Sequence, residues 1–243
     1  MARSPISEAA PILIVGGDKG GVGKSFTART LAGWLLQGGA DVLCVDGDSR
    51  NAHLDRFYAD RLTVHRVNLR DRSGWSGMVD AWAAARSGQV LLVDTPAGAG
   101  EQLPDQWRGV SEAARRLGRP VFLIWVASAS EDSVRLFRSC MAVNPPARTL
   151  FLMNQTFGRT EEDFRIWRNS NLRQQALAAG IGEMTLPELS AAALRRIDEA
   201  HAPFFPKSDI AFSLSEAIDF DFWWTDVAEA LRPLERLMQE AAR

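Results

Sequence analysis

Ile12 to Ser25 reads ILIVGGDKGGVGKS. The four apolar residues Ile12 to Val15 have the character of a strand buried on both faces, Gly16 and Gly17 close it, and a glycine-rich loop follows. From Ser25 to Leu36 the pattern is helical, with Leu31, Trp34 and Leu35 on the inner side. Strand, glycine loop and helix together make a cradle for phosphate. The glycines allow close backbone approach, amide N–H groups point at phosphate oxygens, and the helix adds its positive N-terminal end. Lys24 is placed for the β and γ phosphates and the Ser25 hydroxyl for a magnesium ion. A nucleoside triphosphate with Mg²⁺ is therefore the expected ligand, with Gly20, Gly21, Val22, Gly23, Lys24, Ser25 and Phe26 as its contacts. Of the 28 Lys and Arg residues only Lys19, Lys24 and Lys207 are Lys, and two of the three lie in this loop. A compact ammonium is kept where a planar guanidinium does not fit.

Outward from the loop the same pattern repeats. Val42 to Val45 is an apolar run that stops at Asp46-Gly47-Asp48, and Val90 to Val93 stops at Asp94-Thr95-Pro96. Val121 to Val126 and Leu150 to Met153 follow, the latter ending at Asn154, with helices expected over 101–117 and 133–143. Continuous apolar strands alternating with helices predict an α/β fold, a mostly parallel sheet flanked by helices on both faces. Ligands of such sheets bind beyond the carboxyl ends of the strands, where the loop, Asp48, Asp94 and Asn154 would gather. Four weaker expectations complete the chain. Val64 to Arg70 is an extra strand, Phe157 to Gln175 an exposed Arg-rich helix, and Met184 to Leu186 a last short strand before Pro187. Leu231, Leu234 and Met238 make one face of a terminal helix that Trp223 and Trp224 help to dock.

The 243 residues suit one domain, with 204–243 as a C-terminal helical segment. Hydrophobic residues are 46% and charged residues 24% of the chain, ordinary globular values, and no apolar run approaches the roughly 18 residues of a membrane span. Met1 to Pro11 lacks the marks of a secretion signal, so a cytoplasmic location is expected. Cys44 and Cys140 have neither metal-site nor redox spacing and read as packing residues. A net charge of -2 exerts no global pull on nucleic acid or anionic lipid.

The strict pattern G-x-x-x-x-G-K-[ST] needs glycine at position 18, where this chain has Asp18. With Lys19 ahead of the glycine pair, the loop resembles the deviant Walker A motif of the ParA/MinD superfamily of P-loop ATPases. Asp46-Gly47-Asp48 and Asp94-Thr95-Pro96-Ala97-Gly98 look like that superfamily's two switch segments. The resemblance, which spans about residues 11 to 190, implies a slow magnesium-dependent ATP hydrolase. It implies Lys19, Lys24 and Asp48 as catalytic residues, with Asp48 orienting the attacking water, and Ser25, Asp48 and Asp94 around the metal, supported by Asp46. It implies Asn154 and Pro187 at the adenine, although ordinary turn chemistry accounts for both as well. Lys19 would reach a partner's nucleotide, giving an ATP-dependent homodimer whose hydrolysis a protein partner stimulates. Carboxylates beside Mg²⁺ and lysines on the phosphates suit phosphoryl transfer, which needs positioning and charge neutralisation above all.

Within the superfamily, the cysteine positions speak against iron-sulfur carriers, and the absence of a C-x-x-C pair speaks against tail-anchor targeting relatives. The acidic stretch 226–243, interrupted by Pro233, speaks against a membrane-binding terminal helix. Asp46-x-Asp48-x-x-Asn51 and Phe212 to Ala217 look like the TraL and MobD type of ATPase from conjugation and mobilisation operons. Plasmid or chromosome partition is the neighbouring reading. Partition ATPases bind nonspecific DNA through arginines, for which Arg195-Arg196 and the run Arg56, Arg61, Arg66, Arg70 and Arg72 are candidates. Asp55, Asp60 and Asp71 interleave with that run, which suits a solvated mixed face better. Two other functions stand beside the cargo-positioning switch: an ATP-dependent small-molecule enzyme of the same superfamily, and a nucleotide-binding scaffold with negligible hydrolysis.

Overall fold

In a parallel sheet each strand is covered on both faces, so alternate side chains of one apolar run must serve two different layers. β1 (Ile12–Gly17) does this: Leu13 and Val15 enter one core and Ile12 and Ile14 the other. The computed structural model describes residues 10–17, 20–142, 148–160, 162–207 and 210–242, the side chains of residues 100 and 101 excepted. The remaining strands are β2 (Val42–Asp46), β3 (Thr63–Arg66), β4 (Val90–Asp94), β5 (Val121–Ala127), β6 (Thr149–Asn154) and β7 (Gly182–Leu186). They form one seven-stranded sheet in the order β3-β2-β4-β1-β5-β6-β7, with every pair parallel.

On one face lie α1 (Lys24–Gln37), α2 (His53–Tyr58), α8 (Ala191–Ala200), α9 (Leu214–Ala230) and α10 (Arg232–Ala241). The other face carries α3 (Arg72–Ala83), α4 (Ala99–Arg116), α5 (Glu131–Met141), α6 (Arg165–Arg168) and α7 (Asn171–Ala178). The chain leaves β1 toward β2 and β3, returns through β4, and then passes β1 to β5, so the connections change direction around β1. That change opens a crevice beyond the carboxyl ends of β1 and β4, the place where such sheets bind ligands.

The expected strands, the helix after the glycine loop and the two-faced sheet are all present. Cys44 and Cys140 are buried packing residues. Two expectations need correction. The extra strand at Val64 to Arg70 is shorter, Thr63–Arg66, and Val67 to Arg70 leave it as a loop. Phe157 to Gln175 is not one exposed helix but a 3-10 turn, Gln155–Phe157, and the two short helices α6 and α7. Phe164, Trp167 and Leu172 within it are buried, because apolar residues at helical spacing outweigh the surrounding arginines. Trp167 stacks on Phe151 with ring centroids 3.8 Å apart and donates its indole N–H to Glu183. The stretch 226–243 is interrupted as expected, α9 ending at Ala230 and α10 starting at Arg232, with Pro233 in the first turn of α10, where its missing N–H costs nothing.

Phe220, Trp223, Val227, Leu231 and Leu234 belong to the same buried cluster as Leu13 and Val15 of β1. No helix among the described residues is long and apolar enough to cross a membrane.

Candidate nucleotide-binding site

α1 begins without a side-chain cap. Ser130, Ser170, Ser190 and Ser213 cap α5, α7, α8 and α9, while α1, like α2, α3, α4, α6 and α10, has no side-chain cap; its preceding residue is Gly23, and no acidic residue lies in its first turn. The helix N–H groups that a serine would satisfy elsewhere are left for an anionic ligand. Gly21 and Gly23 both take positive φ, 86° and 94°. At Gly23 a Cβ would also lie 2.1 Å from the Asn154 Nδ2, so only glycine fits there.

Asn154 explains this crowding. Its side chain is buried, donates through Nδ2 to the Val22 carbonyl at 2.9 Å and accepts through Oδ1 from the Thr156 N–H at 3.1 Å. The residue ties the end of β6 to the phosphate loop. Val22 is buried, Gly20 and Gly21 are exposed, and Ser25 and Phe26 are half-buried. Phe26 packs edge-on to Phe204 at 5.4 Å and against Trp223, which anchors the first turn of α1 to the C-terminal layer. Pro187, at the end of β7, accepts the Trp223 indole N–H on its carbonyl at 3.0 Å. Asp18 and Lys19 lie outside the described residues.

Beyond the strand ends the carboxylates assemble. Asp46 and Asp94 are register partners on β2 and β4, both fully buried. The Asp46 carboxylate accepts the N–H groups of Asp48 and Asp55, at 3.3 and 3.2 Å. Burial still lifts it to about 6, those amides pulling the other way. Asp94 is 1% exposed, and neither carboxylate oxygen has a hydrogen-bond partner. Burial lifts it to about 7; the nearby Ser25 hydroxyl offsets this, Asp46 adds to it, and the Lys24 ammonium offsets it again. Thr95, next in the chain, bonds through its hydroxyl to the Val15 carbonyl at 2.7 Å and holds the end of β4 against β1.

With the Ser25 hydroxyl as its nearest donor and no full hydrogen bond to either oxygen, the buried Asp94 carboxylate is poorly satisfied by itself. A divalent cation corrects that deficit. Mg²⁺ is commonly held by one or two protein oxygens together with waters and substrate phosphates, and Ser25 and Asp94 supply such a pair. Bound there, it would neutralise charge on the phosphates. Asp48 is not offered to that position in this structure. The Arg70 guanidinium forks onto it, Nη1 to Oδ1 at 2.9 Å and Nη2 to Oδ2 at 3.0 Å. Oδ1 also accepts the N–H groups of Arg50 and Asn51. Arg70 holds the Asp48 carboxyl below the usual range for this reason.

The structure thus brings together the glycine loop, Lys24, Ser25, Asp46, Asp94 and Asn154, and gives Asp48 a partner that the sequence reading put on a solvated face. Nothing in the spacing of the arginine run marks Arg70 as different from Arg61 or Arg72. Its role follows from the path of the loop after β3.

Comparison with known proteins gives a family and a fold. Residues 13–192 match the CobQ/CobB/MinD/ParA nucleotide-binding domain. The chain is similar to Protein MobD of Acidithiobacillus ferrooxidans, 25% identical over 182 residues, which covers 75% of this chain and 79% of that protein. In fold it is similar to the cell division protein FtsY of Thermotoga maritima, with a TM-score of 0.55, 18% identity, and 92% of this chain and 71% of that one covered. A nucleotide-binding protein from Archaeoglobus fulgidus, solved with ADP, gives a TM-score of 0.50 at 14% identity, covering 90% of this chain and 88% of that one. With the family match spanning most of the sheet and the whole phosphate loop, the chain belongs to the CobQ/CobB/MinD/ParA nucleotide-binding domain family.

Proposed function

We propose that the protein is a cytoplasmic magnesium-dependent ATPase that cycles between a monomer and an ATP-bound homodimer, and that hydrolysis, speeded by a protein partner, times the positioning of a cargo. The observation that carries this reading is the buried, unpartnered Asp94 carboxylate beside Lys24 and Ser25 at the open end of α1. Such a site favours a ligand that brings both phosphate and a divalent cation. Asp48 is the residue to orient the attacking water, and Lys19 the residue to reach a partner's nucleotide. Asn154, the last residue of β6, and Pro187, just after β7, are the residues to flank the base. Similarity to Protein MobD favours a role in plasmid mobilisation over chromosome partition.

The arginine run weighs against DNA as an obligatory ligand. Within it Arg70 is paired with Asp48 and Arg66 with Asp55, and of the separate Arg195-Arg196 pair Arg196 is held by Glu216.

The test is ATP turnover with and without Mg²⁺, together with light scattering in ADP and in a non-hydrolysable ATP analogue. The expected result is magnesium-dependent turnover and a dimer only with the analogue. Asp48→Ala should abolish turnover while keeping ATP binding, and Lys19→Ala should abolish the dimer. A wild-type protein that binds ATP without hydrolysing it would instead support the scaffold reading.

A further inference from the structure

Arg66, the last residue of β3, and Arg70, in the loop that follows it, grip the segment that carries Asp48. β3 is an edge strand, paired only with β2, and the chain beyond it continues along the tail of β2. The Val67 N–H bonds the Asp46 carbonyl at 2.9 Å and the Leu69 N–H bonds the Gly47 carbonyl at 3.1 Å. The approach is close enough that a Cβ at Gly47 would meet Leu69 Cδ1 at 2.5 Å and the Asp94 carbonyl at 2.6 Å. The Trp75 indole of α3 bonds the Leu69 carbonyl at 2.8 Å, so the loop is fixed from behind. From this base Arg66 donates to the Ser49 carbonyl at 3.2 Å and pairs with Asp55 at 3.5 Å, while Arg70 forks onto both oxygens of Asp48. The Arg70 and Asp48 side chains are 31% and 13% exposed, so the pair is partly shielded from solvent.

We propose that Arg70 is a positioning residue that restrains hydrolysis by clasping Asp48 away from the attacking water, with Arg66 steadying the same segment. This regulation rests on the ATPase reading given above. The chemistry is that of a bidentate guanidinium–carboxylate pair, stronger and more directional than a single bond. Oδ1 already carries three donors and Oδ2 carries Arg70, so the carboxylate is a poor acceptor for a water while the clasp is closed. Opening needs only that the partly exposed Arg70 side chain swing off Asp48, the loop backbone staying where Trp75 and the β2 tail hold it, and a second protein bound at this edge of the sheet could draw the guanidinium away.

Wild type, Arg70→Gln, Arg70→Lys and Asp48→Ala are compared in three measurements: Mg·ATP affinity by equilibrium dialysis, steady-state kcat, and the rate of tryptic cleavage after Arg50 in nucleotide-free protein, identified by mass. Arg50 is exposed on the clasped segment, so its cleavage reports the clasp independently of activity. Arg70→Gln is expected to raise kcat about 3- to 10-fold, the scale of losing one charge-assisted pair, and to speed cleavage after Arg50 by a similar factor. Mg·ATP affinity should stay within about two-fold, since a change in kcat alone marks an effect on the reacting arrangement rather than on binding. Arg70→Lys, which keeps the charge but cannot fork, is expected to lie between the two, and it carries the comparison if Arg70→Gln does not fold. If kcat and cleavage are unchanged in both arginine variants, or kcat falls in both, the clasp is refuted even though wild type hydrolyses ATP and Asp48→Ala does not. Absence of turnover in wild type refutes the ATPase reading instead, and the restraint with it.

Discussion

Asp94 is the residue on which metal, phosphate and stability meet. Its carboxyl titrates near 7 in the folded chain against 3.8 for the unperturbed group, because burial opposes its charge. The folded state therefore holds this proton more tightly than the unfolded chain. The group costs nothing at a pH below 3.8; stability falls as pH rises from about 4 to about 7, and the full penalty stands above that. Asp46, raised to about 6, acts in the same direction. Asp94→Asn should therefore stabilise the ligand-free protein at pH 8, by about 2–4 kcal/mol or several degrees in melting temperature, with the gain shrinking toward pH 4. In the presence of Mg·ATP the order should reverse, wild type gaining stability that the variant does not. Thermal melts at several pH values, with and without Mg·ATP, check both halves. The Asp pair and the lysine were legible in the sequence because each closes an apolar run or a glycine loop. The raised proton affinity of the two aspartates was not, since it arises chiefly from burial beneath the layers that close over the strand ends.

Among the elements, α1 connects the phosphate loop to the layer behind it. Tyr58 of α2 is fully buried, donates its hydroxyl to the Arg29 carbonyl at 2.7 Å and accepts the Phe204 N–H at 3.2 Å. One side chain thus holds α1, α2 and the segment before α9. The Arg29 guanidinium lies 3.4 Å from the centre of the Phe57 ring and pairs with Asp198 of α8 at 2.9 Å. Tyr58→Phe keeps the packing but strands the Phe204 N–H, and should cost about 1–3 kcal/mol in urea denaturation with an unchanged slope. At α9, Ser213 and Glu216 form a reciprocal capping box, and Ser213→Ala should cost about 1 kcal/mol in the same experiment. Helix periodicity revealed α1, α4 and α5 in the sequence. The division of 157–175 into a 3-10 turn and two short helices did not show, because its buried aromatics are sparse among arginines and find their partner, Phe151, on a strand.

Over the whole molecule, the C-terminal layer is part of the main core. Trp223 is buried against Phe26, Phe204 and Phe220, and its indole N–H holds the end of β7 through Pro187. Trp223→Ala should cost about 3–5 kcal/mol and shift the unfolding of the whole chain in a single transition. Circular dichroism and tryptophan fluorescence followed together check this; a C-terminal segment that folded separately would give two transitions, only one of them moved. The sequence by itself determined the α/β class, the phosphate loop and the carboxylates at the strand ends, because these depend on neighbours within a few residues and on the period of burial. Only the tertiary structure decided that Asn154 braces Val22 across 132 residues and that Arg70 closes on Asp48 across 22. Such contacts follow from the strand order and the paths of the loops, which leave no periodic mark on the chain, and it is the return of the segment after β3 along β2 that converts one arginine of a mixed surface run into a clasp on the site.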